Sequence, residues 1–348
     1  MEAMKRSMSL VSVIIVNWNG GGVLRDCLES LSKVRYPNWE LVVVDNGSTD
    51  ESLVLIRKLK VKSQKLKVKV VRNKENVGFA RANNQGLKMT KGEYILLLNN
   101  DTKVEEDLLG KMVEKMEGEK DLGVVQPKIM MMDNPGYLDN AGSFLTWIGF
   151  LDHWGFGRKD GEEFSEEKEI FSAKGACMLI RREVVEKVGL FDEDYVSYFE
   201  ESDFCWRVWL GGYRVLFFPK VKIFHKVGFT IKRMDVWGNN FHYYKNRICS
   251  LLKNLEVPNL LVILPLHLVV SMGIAMAFAL RGHLRNSLIV FKAMWWNLVS
   301  IPSTLRKRRE VVKIRVVGDR EIFAKLMRRI DLGRYWNDFR RVERDLGS

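Results

Sequence analysis

The alternation of hydrophobic strands with amphipathic helices constrains the fold of this chain more than any other sequence feature. Four short segments are rich in Val, Ile and Leu, as in strands that are covered on both faces of a parallel sheet; they are residues 11–16, 41–44, 68–71 and 94–98. Apolar residues at helical spacing lie between or after these strands, at 24–31, 79–89 and 108–116. The pattern predicts an α/β layer fold with a mainly parallel central sheet.

Polar residues stand directly after three of the predicted strands. Asn17, Asp45 and Asp101 each follow a hydrophobic run. Ligands of open α/β sheets bind in the crevice beyond the carboxyl ends of the strands. Asp45 alone could belong to a turn or a helix cap, because the residues around it favour both. Three such strand ends together favour a ligand site.

A minimal metal site can be read from Asp101 and from His225, which follows a later strand. Mg²⁺ needs few carboxylate ligands, because water and substrate phosphates complete its octahedron. His225 taken alone could equally be a structural residue. The chain has no phosphate-loop, dinucleotide-fingerprint or zinc-protease motif, which removes the main sequence support for those classes.

A second group of acids, Glu200, Glu201 and Asp203, follows two aromatic residues. Carboxylates that are packed together beside aromatic rings raise one another's pKa, and a general base needs a pKa close to the working pH. The same acids could instead favour the dipole at the start of a helix. Both interpretations can hold for different members of the group.

Five segments together resemble family 2 glycosyltransferases of the GT-A fold, and within that family the bacterial rhamnosyltransferase-type branch. The resemblance covers residues 8–255, with motifs in the family's order. The segments are VSVIIVNWNG at 11–20, VVVDNGSTD at 42–50, NVGFARANNQGLKMTKGEYILLLNND at 76–101, GACMLIRREVVEKVGLFDEDYVSYFEESDFCWRVWLGGYRV at 175–215 and FHKVGFT at 224–230.

The resemblance implies a nucleotide-sugar site at the strand ends. Asn17 and Asp45 would line the nucleotide pocket, with Asp45 recognising the base. Arg81 and Asn83 lie in the helix that approaches the nucleotide in this family.

The resemblance also implies a divalent metal, Mg²⁺ or Mn²⁺. Asn99-Asn100-Asp101 stands where the family has its D-x-D motif, with Asn99 in place of the first acid. Asp101 would then be the principal metal ligand, and His225 the residue that completes the metal or diphosphate site. Asn99 and Asn100 would bind the nucleotide-sugar, with Asn99 as a hydrogen-bonding partner of the ribose.

In the family's E-D-x-D segment this chain has Glu200, Glu201, Ser202 and Asp203. Glu201 stands where the base of an inverting transfer lies, and it is one methylene longer than the usual Asp. Glu200 and Asp203 are the other two catalytic residues that the resemblance implies. The implied reaction moves a sugar from a nucleoside-diphosphate sugar, such as dTDP-rhamnose or a UDP-sugar, to a hydroxyl of a glycan or lipid-linked acceptor in cell-surface polysaccharide synthesis. We assign residues 8–255 to the catalytic domain.

The remaining region, 256–348, is apolar and basic. Residues 257–280 carry no charge and are long enough to span a membrane. A second apolar segment, 287–301, precedes the basic cluster 306–309, which suits anionic lipid. Residues 257–348 contain 17 Lys or Arg against 7 Asp or Glu, and thus ten of the thirteen excess positive charges. We expect association with the cytoplasmic face of the membrane; helices packed on the catalytic domain or in an oligomer are the alternative.

Two other classes of protein remain as alternatives. A nucleotidyltransferase acting on sugar phosphates could use the same crevice and metal, but the turn at 20–22 lacks the basic residue expected after its Gly-rich loop. A nucleic-acid-binding protein would explain the net charge of +13, but the excess follows an apolar segment and is not interleaved with stacking aromatic residues. We therefore expect no nucleic-acid partner.

Overall fold

The structure is a computed structural model that describes residues 8–62, 67–228, 236–329 and 333. Its strands are β1 Val11–Asn17, β2 Trp39–Asn46, β3 Lys67–Asn73, β4 Tyr94–Leu98, β5 Thr102–Val104, β6 Leu122–Met131, β7 Leu138–Asn140, β8 Ser143–Thr146, β9 Leu151–His153, β10 Lys168–Glu169, β11 Cys177–Arg181, β12 Arg214–His225 and β13 Met327–Arg328. Its α-helices are α1 Gly21–Leu31, α2 Ser52–Lys62, α3 Phe79–Lys88, α4 Leu108–Gly118, α5 Arg182–Val188, α6 Glu200–Leu210, α7 Val236–Asn254, α8 Val257–Leu280, α9 Leu284–Val299, α10 Ile301–Ile314 and α11 Asp319–Leu326.

The main sheet has ten strands, eight of them in the order β10-β12-β6-β11-β4-β1-β2-β3, with β5 beside β12 and β7 beside β6. The run from β4 to β3 is parallel, β6 and β12 are parallel to each other, and β11 lies antiparallel between β4 and β6. This confirms the predicted α/β class with a mainly parallel sheet. The carboxyl ends of β1, β2, β4 and β12 therefore meet at one edge.

Both faces of this sheet are covered, which explains why the strands are continuously apolar. Along β1, Val13 and Ile15 pack into a core with α1 and α4, whereas Ile14 faces the opposite core with α3 and α6. All three side chains are fully buried. A strand with two buried faces gains from an apolar residue at every position.

The region that follows α4 differs from the sequence-based prediction in one place. Pro219 and Lys220 separate the apolar runs 213–217 and 221–224, a pattern that predicts two short strands, but both runs, from Arg214 on, belong to the single strand β12. A register shift between Phe218 and Lys222 carries this strand past Pro219, as a bulge in a strand allows. The Gly-rich and aromatic sequence at 137–161 predicts an irregular or hairpin insertion, and the hairpin is confirmed: the segment forms β7 and the β8–β9 hairpin, which pairs with β13 in a three-stranded sheet.

The sequence at 58–69 alternates lysine with Val and Leu, which predicts a solvated helix end followed by an exposed edge strand. α2 ends at Lys62 and β3 is the edge of the main sheet; residues 63–66 lie outside the described part. Lysine on an edge strand discourages pairing with another sheet.

Four helices, α7 to α10, form a layer beside α6. α8 buries one narrow strip, with residues spaced mostly four apart: Ile263, His267, Ser271, Ala275 and Phe278. The rest of α8 is apolar and open, and Leu280 is 83% exposed. Among the described residues, α8 is the one helix that is long and apolar enough to cross a membrane; α9 and α10 meet the same criterion only as one segment bent by 68°.

Candidate functional site

The side chain of Asn17 joins the carboxyl ends of β1, β2 and β4. Asn17 Nδ2 donates to Ser48 Oγ at 3.1 Å and to Asp45 Oδ1 at 3.5 Å, and Asn17 Oδ1 accepts a 2.7 Å hydrogen bond from Asn100 Nδ2. Gly20 makes this arrangement possible, because a Cβ at this position would lie 2.2 Å from Asn17 Oδ1. The structure thus brings three of the predicted nucleotide residues together.

One of the two carboxyl oxygens of Asp45 makes no hydrogen bond to the described residues. The residue is fully buried, and its Oδ2 has no hydrogen-bond partner within the described part of the chain. A buried acceptor that stays unpaired costs free energy. The atom can accept a donor from a bound molecule, as base recognition requires.

We call the linked side chains of Asn17, Asp45, Ser48 and Asn100 the strand-end wall. A row of four ionisable side chains lies beside it. Lys174 Nζ donates to both carboxyl oxygens of Asp139 at 2.7 Å. Asp139 Oδ2 lies 2.8 Å from His225 Nδ1, and His225 Nε2 lies 3.2 Å from Asp101 Oδ1. Burial works against charge on His225, but its hydrogen bonds to Asp101 and Asp139 outweigh burial and raise the pKa of the imidazole. Burial also opposes charge on Asp139, yet Lys174 and His225 hold the pKa of its carboxyl well below the usual range.

Asp101 and His225 fit the ligand set of a divalent cation. Asp101 Oδ1 is buried, and apart from its 3.2 Å contact with His225 Nε2 it has no hydrogen-bond partner among the described residues. Asp139 occupies His225 Nδ1, so Nε2 is the nitrogen that remains toward Asp101, as when a carboxylate orients a metal-binding histidine. In the described ranges, no group of three or more His, Cys, Asp or Glu side chains is arranged so that it could hold a metal ion by itself. A cation at this pair would therefore need further oxygen ligands from a diphosphate or water.

Glu200 and Glu201 open helix α6 and face the cleft. Glu200 is buried and Glu201 is partly buried, and Oε2 of each lacks a hydrogen-bond partner among the residues that the structure describes. Burial raises the pKa of Glu200, and the charge of Glu201 raises it further. Burial also raises the pKa of Glu201, against the opposing charge of Lys174. The two carboxyls interact with each other, and a carboxylate with a raised pKa is a stronger base than an exposed one.

Asp203, the third acid of this turn, lies in the protein interior and not in the cleft. Its Oδ2 accepts hydrogen bonds from Arg207 Nε and Lys253 Nζ at 3.0 Å each, and its Oδ1 accepts one from Asn254 Nδ2 at 2.9 Å. Burial opposes its charge, but Lys253 and Arg207 outweigh burial and lower the pKa of Asp203. These contacts give Asp203 a structural role, in contrast to the catalytic role that was predicted for it.

Five charged side chains form what we call the ion cluster, and it ties α6 to α7 and α10. Lys253 also binds Asp192 Oδ2 at 2.9 Å, and Lys307 of α10 pairs with the same Asp192. The members of the ion cluster are Asp192, Asp203, Arg207, Lys253 and Lys307.

Two other predicted residues lie away from the cleft in this structure. Arg81 is exposed and lies 3.7 Å from Glu193. Asn83 is buried and donates to the Phe79 carbonyl at 2.9 Å. Helix α3 reaches the cleft with Phe79 instead.

The cleft itself has a solvent-accessible volume of about 250 Å³ and lies over the carboxyl edge of the sheet. Of the predicted site residues, those that line it are Asn99, Asn100, Asp101, Glu200, Glu201 and His225. Sequence reasoning missed Asn46, Lys174 and Tyr198 in its walls and Asp139 behind His225. Lys174 directly precedes the motif at Gly175, which could have indicated it; the sequence around Asp139 carries no comparable signal.

The family comparison covers the first strands of the cleft but not Glu200, Glu201 or His225. The family profile described as "Glycosyl transferase family 2" matches residues 12–189, half of the chain. This span runs from β1 through α5 and includes the strand-end wall.

Individual relatives are more distant. Poly-beta-1,6-N-acetyl-D-glucosamine synthase of Staphylococcus aureus is 25% identical over 209 residues, which make up 60% of this chain. The chain spans 48% of the length of that synthase.

Two solved structures align over most of the chain. TarS 1–349 of S. aureus in complex with UDP-GlcNAc aligns with a TM-score of 0.58 and 19% identity, over 81% of this chain and 79% of TarS 1–349. The mannosyltransferase PcManGT of Pyrobaculum calidifontis, in complex with GDP-Man and Mn²⁺, aligns with a TM-score of 0.54 and 18% identity, over 87% of this chain and 85% of PcManGT. At these identities the alignments show a shared fold.

Proposed function

Since the chain belongs to glycosyltransferase family 2 and has the GT-A fold, we propose that it is an inverting glycosyltransferase that uses a nucleoside-diphosphate sugar. The observation that carries the proposal is the layout of the cleft. Asp101 and His225, which suit a diphosphate with its cation, line the same cleft as Glu200 and Glu201. Asp45 does not line this cleft itself; it directly precedes Asn46, which does, and its Oδ2 has no hydrogen-bond partner among the described residues.

The transfer would take place in one step. The acceptor hydroxyl attacks the anomeric carbon while Glu201 takes its proton. The bond from that carbon to the diphosphate oxygen breaks, and its electron pair leaves with the nucleoside diphosphate. Because attack and departure occur on opposite faces of the sugar, the configuration inverts. The raised pKa of Glu201 makes its carboxylate a stronger base than an exposed one.

Asp101 and His225 would hold Mg²⁺ or Mn²⁺, which neutralises negative charge on the departing diphosphate when it is bound. Asp139 orients His225 through Nδ1, and Lys174 balances the charge of Asp139. Asn17 and Asn100 hold the strand ends in register under the nucleotide, and Asp45 Oδ2 accepts a hydrogen bond from its base. Asn99 lines the same cleft and is assigned to the ribose.

The donor and acceptor are proposed from the relatives. TarS is described with UDP-GlcNAc and PcManGT with GDP-Man, and the synthase is named for a polymer of N-acetylglucosamine. The UDP-GlcNAc of TarS supports a UDP-sugar as the donor; dTDP-rhamnose is proposed from the sequence resemblance alone. A hydroxyl of a glycan or lipid-linked saccharide of the cell surface is the proposed acceptor.

We further propose that residues 8–255 form the catalytic domain and that 256–348 dock it on the cytoplasmic face of the membrane. The open sides of α8 and α9 carry large apolar side chains, including Leu261, Leu288 and Trp295. Only part of the basic cluster is available to lipid, because Lys307 belongs to the ion cluster and Arg308 donates to the Leu252 carbonyl.

A screen of nucleotide-sugars tests the enzymatic proposal. The protein is mixed with UDP-, GDP- and dTDP-sugars with and without Mn²⁺, and its thermal unfolding is followed, because a ligand of the folded state raises the unfolding temperature. We expect stabilisation by at least one nucleotide-sugar in the presence of Mn²⁺, and release of nucleoside diphosphate when an acceptor glycan is added. Formation of a nucleotide-sugar from a sugar phosphate and a nucleoside triphosphate, without transfer, would instead identify a nucleotidyltransferase.

Sedimentation with lipid vesicles tests the docking proposal. Binding to vesicles that contain phosphatidylserine should decrease when Leu261 and Leu280 are both changed to Ser. Val54→Ser is the matched control, because Val54 is an exposed apolar residue on α2, outside the helical layer. Equal binding by the double variant and the wild type would rule out this surface.

A further inference from the structure

The backbone that leads into the two cleft glutamates is strained. Val196, Tyr198 and Phe199 have φ angles of +63°, +67° and +70°. Positive φ is unfavourable for residues with a side chain and is a clear outlier for a β-branched residue such as Val196. We call residues 196–199 the strained turn. It ends where α6 begins, at Glu200, so the conformation of the turn sets the direction of both glutamates.

One side chain on another helix holds this turn. Asn246 of α7 is fully buried, and its Nδ2 donates to three main-chain carbonyls. The distances are 3.0 Å to Tyr195 O, 2.9 Å to Ser197 O and 2.5 Å to Tyr198 O. Three converging carbonyl oxygens need a donor, which fixes the orientation of the amide.

Most of the hydrogen bonds that reach the strained turn from residues distant in sequence come from Asn246. The other such contact in the described chain is the amide of Ala80, which donates to Val196 O at 3.0 Å. Strained backbone at a functional site persists only where the surroundings hold it in place. Loss of the Asn246 amide would leave the carbonyls of Ser197 and Tyr198 without a donor among the described residues, whereas the Tyr195 carbonyl would keep its 2.7 Å hydrogen bond from Ser197 N.

A second buried asparagine shows what an ordinary structural amide does in this layer. Asn297 of α9 is also buried, and its Nδ2 donates to Lys245 O at 3.0 Å and to Ala293 O at 2.9 Å. Those carbonyls belong to regular helices. Asn297 ties α9 to α7, whereas Asn246 ties α7 to the strained turn.

We propose that Asn246 is a positioning residue for the transfer, which holds Glu200 and Glu201 toward the cleft through the strained turn. The inference rests on the proposed function only in assigning a base to this pair. The mechanical part, that Asn246 keeps the turn in place, stands on the contacts alone. The residue that supports Glu200 and Glu201 thus lies on α7, beyond the span that the family profile matches.

The test compares Asn246→Ala with Asn297→Ala in the full chain. Amide hydrogen exchange of residues 196–203 is measured first, because it needs no substrate. We expect exchange in this segment to rise at least tenfold in Asn246→Ala and to stay at the wild-type level in Asn297→Ala. Asn246→Ser retains one donor and should give an intermediate increase; it also serves if Asn246→Ala does not fold.

Steady-state kinetics follow, with the nucleotide-sugar that the wild-type protein turns over. Asn246→Ala should lower kcat at least tenfold and leave KM for the nucleotide-sugar within twofold, because the strand-end wall is untouched. Unchanged exchange in 196–203, or equal losses of kcat in Asn246→Ala and Asn297→Ala, would overturn the proposal. If the wild type turns over no nucleotide-sugar, the proposed function fails, while the exchange measurement still decides whether Asn246 holds the turn.

Discussion

The cleft and the ion cluster both contain carboxylates from the first turn of α6. The groups that surround these carboxylates differ between the two regions. Asp203 accepts hydrogen bonds from Lys253 and Arg207. Glu200 and Glu201 each leave a carboxyl oxygen without a hydrogen-bond partner among the described residues. Burial acts on all three, yet the pKa falls for Asp203 and rises for the two glutamates.

The difference shows that counter-charges decide whether a buried acid stabilises the fold or stays reactive. A paired carboxylate is held ionised and has little tendency to take a proton. An unpaired one is less stable as an anion and is therefore the better base. The following predictions test this contrast, beginning with the largest expected effect.

Glu201→Gln should lower kcat about 10²–10⁴-fold, the range expected for loss of a general base. The amide has nearly the same shape but cannot accept the proton, so nucleotide affinity should stay near that of the wild type. Turnover and nucleotide binding are measured separately, with Glu200→Gln as the comparison that should lose less activity. Full turnover in Glu201→Gln would move the base to another residue.

Asp203→Ala should destabilise the fold by about 3–5 kcal/mol, because it leaves Arg207 buried without its counter-charge and removes one of the two carboxylates that pair with Lys253. Urea unfolding measures the change. Glu201→Gln is the control from the same helical turn and should show little or no loss of stability. A loss below about 1 kcal/mol for Asp203→Ala would mean that the ion cluster contributes no more than surface ion pairs do.

Asp139→Asn should weaken Mn²⁺ binding in the presence of UDP by about 10–100-fold, as expected when the group that orients a metal-binding histidine is altered. Calorimetry with Mn²⁺ gives the affinity without any need for turnover. Asp160→Asn is the matched control, because Asp160 also pairs with a lysine, Lys128, but neither residue lines the cleft. Equal effects of the two changes would exclude a specific role for Asp139.

The smallest effect should appear in the pH dependence of stability. The raised pKa of Glu201 means that the folded protein binds this proton more tightly than the unfolded chain, so acidification from neutral pH toward about 4.3 stabilises the fold. The lowered pKa of Asp203 has the opposite sign: its stabilisation is present above about 3.9 and is lost as pH falls through its folded pKa. Unfolding free energies of the wild type, Glu201→Gln and Asp203→Asn across this range measure both trends. A wild-type profile that runs parallel to that of Glu201→Gln at all pH values would contradict the shift at Glu201.

The parallel strands were predictable because an element buried on both faces shows itself in consecutive apolar residues, as in β1. β12 was predicted as two strands because Pro219 and Lys220 resemble a turn, and a sequence does not show that a bulge carries the strand past them. Asp203 could not be told from the glutamates beside it, since its partner Lys253 lies 50 positions further along the chain.

Asp139 illustrates the same limit in the site. Its function depends on the pairing of β7 with β6 and of β6 with β12, which brings it to His225 across 86 positions of sequence. Arg81 and Asn83, in contrast, were assigned from a motif alone, and the structure places both away from the cleft.

The place of Asn246 in the chain has a consequence for the order in which the protein is made. The strands that carry the strand-end wall leave the ribosome first, and Asn246 follows Tyr198 by 48 positions. Domains tend to fold as they emerge, at about 5–20 residues per second. At this rate Asn246 is added several seconds after Tyr198, so the strained turn has no holder until α7 has emerged from the ribosome.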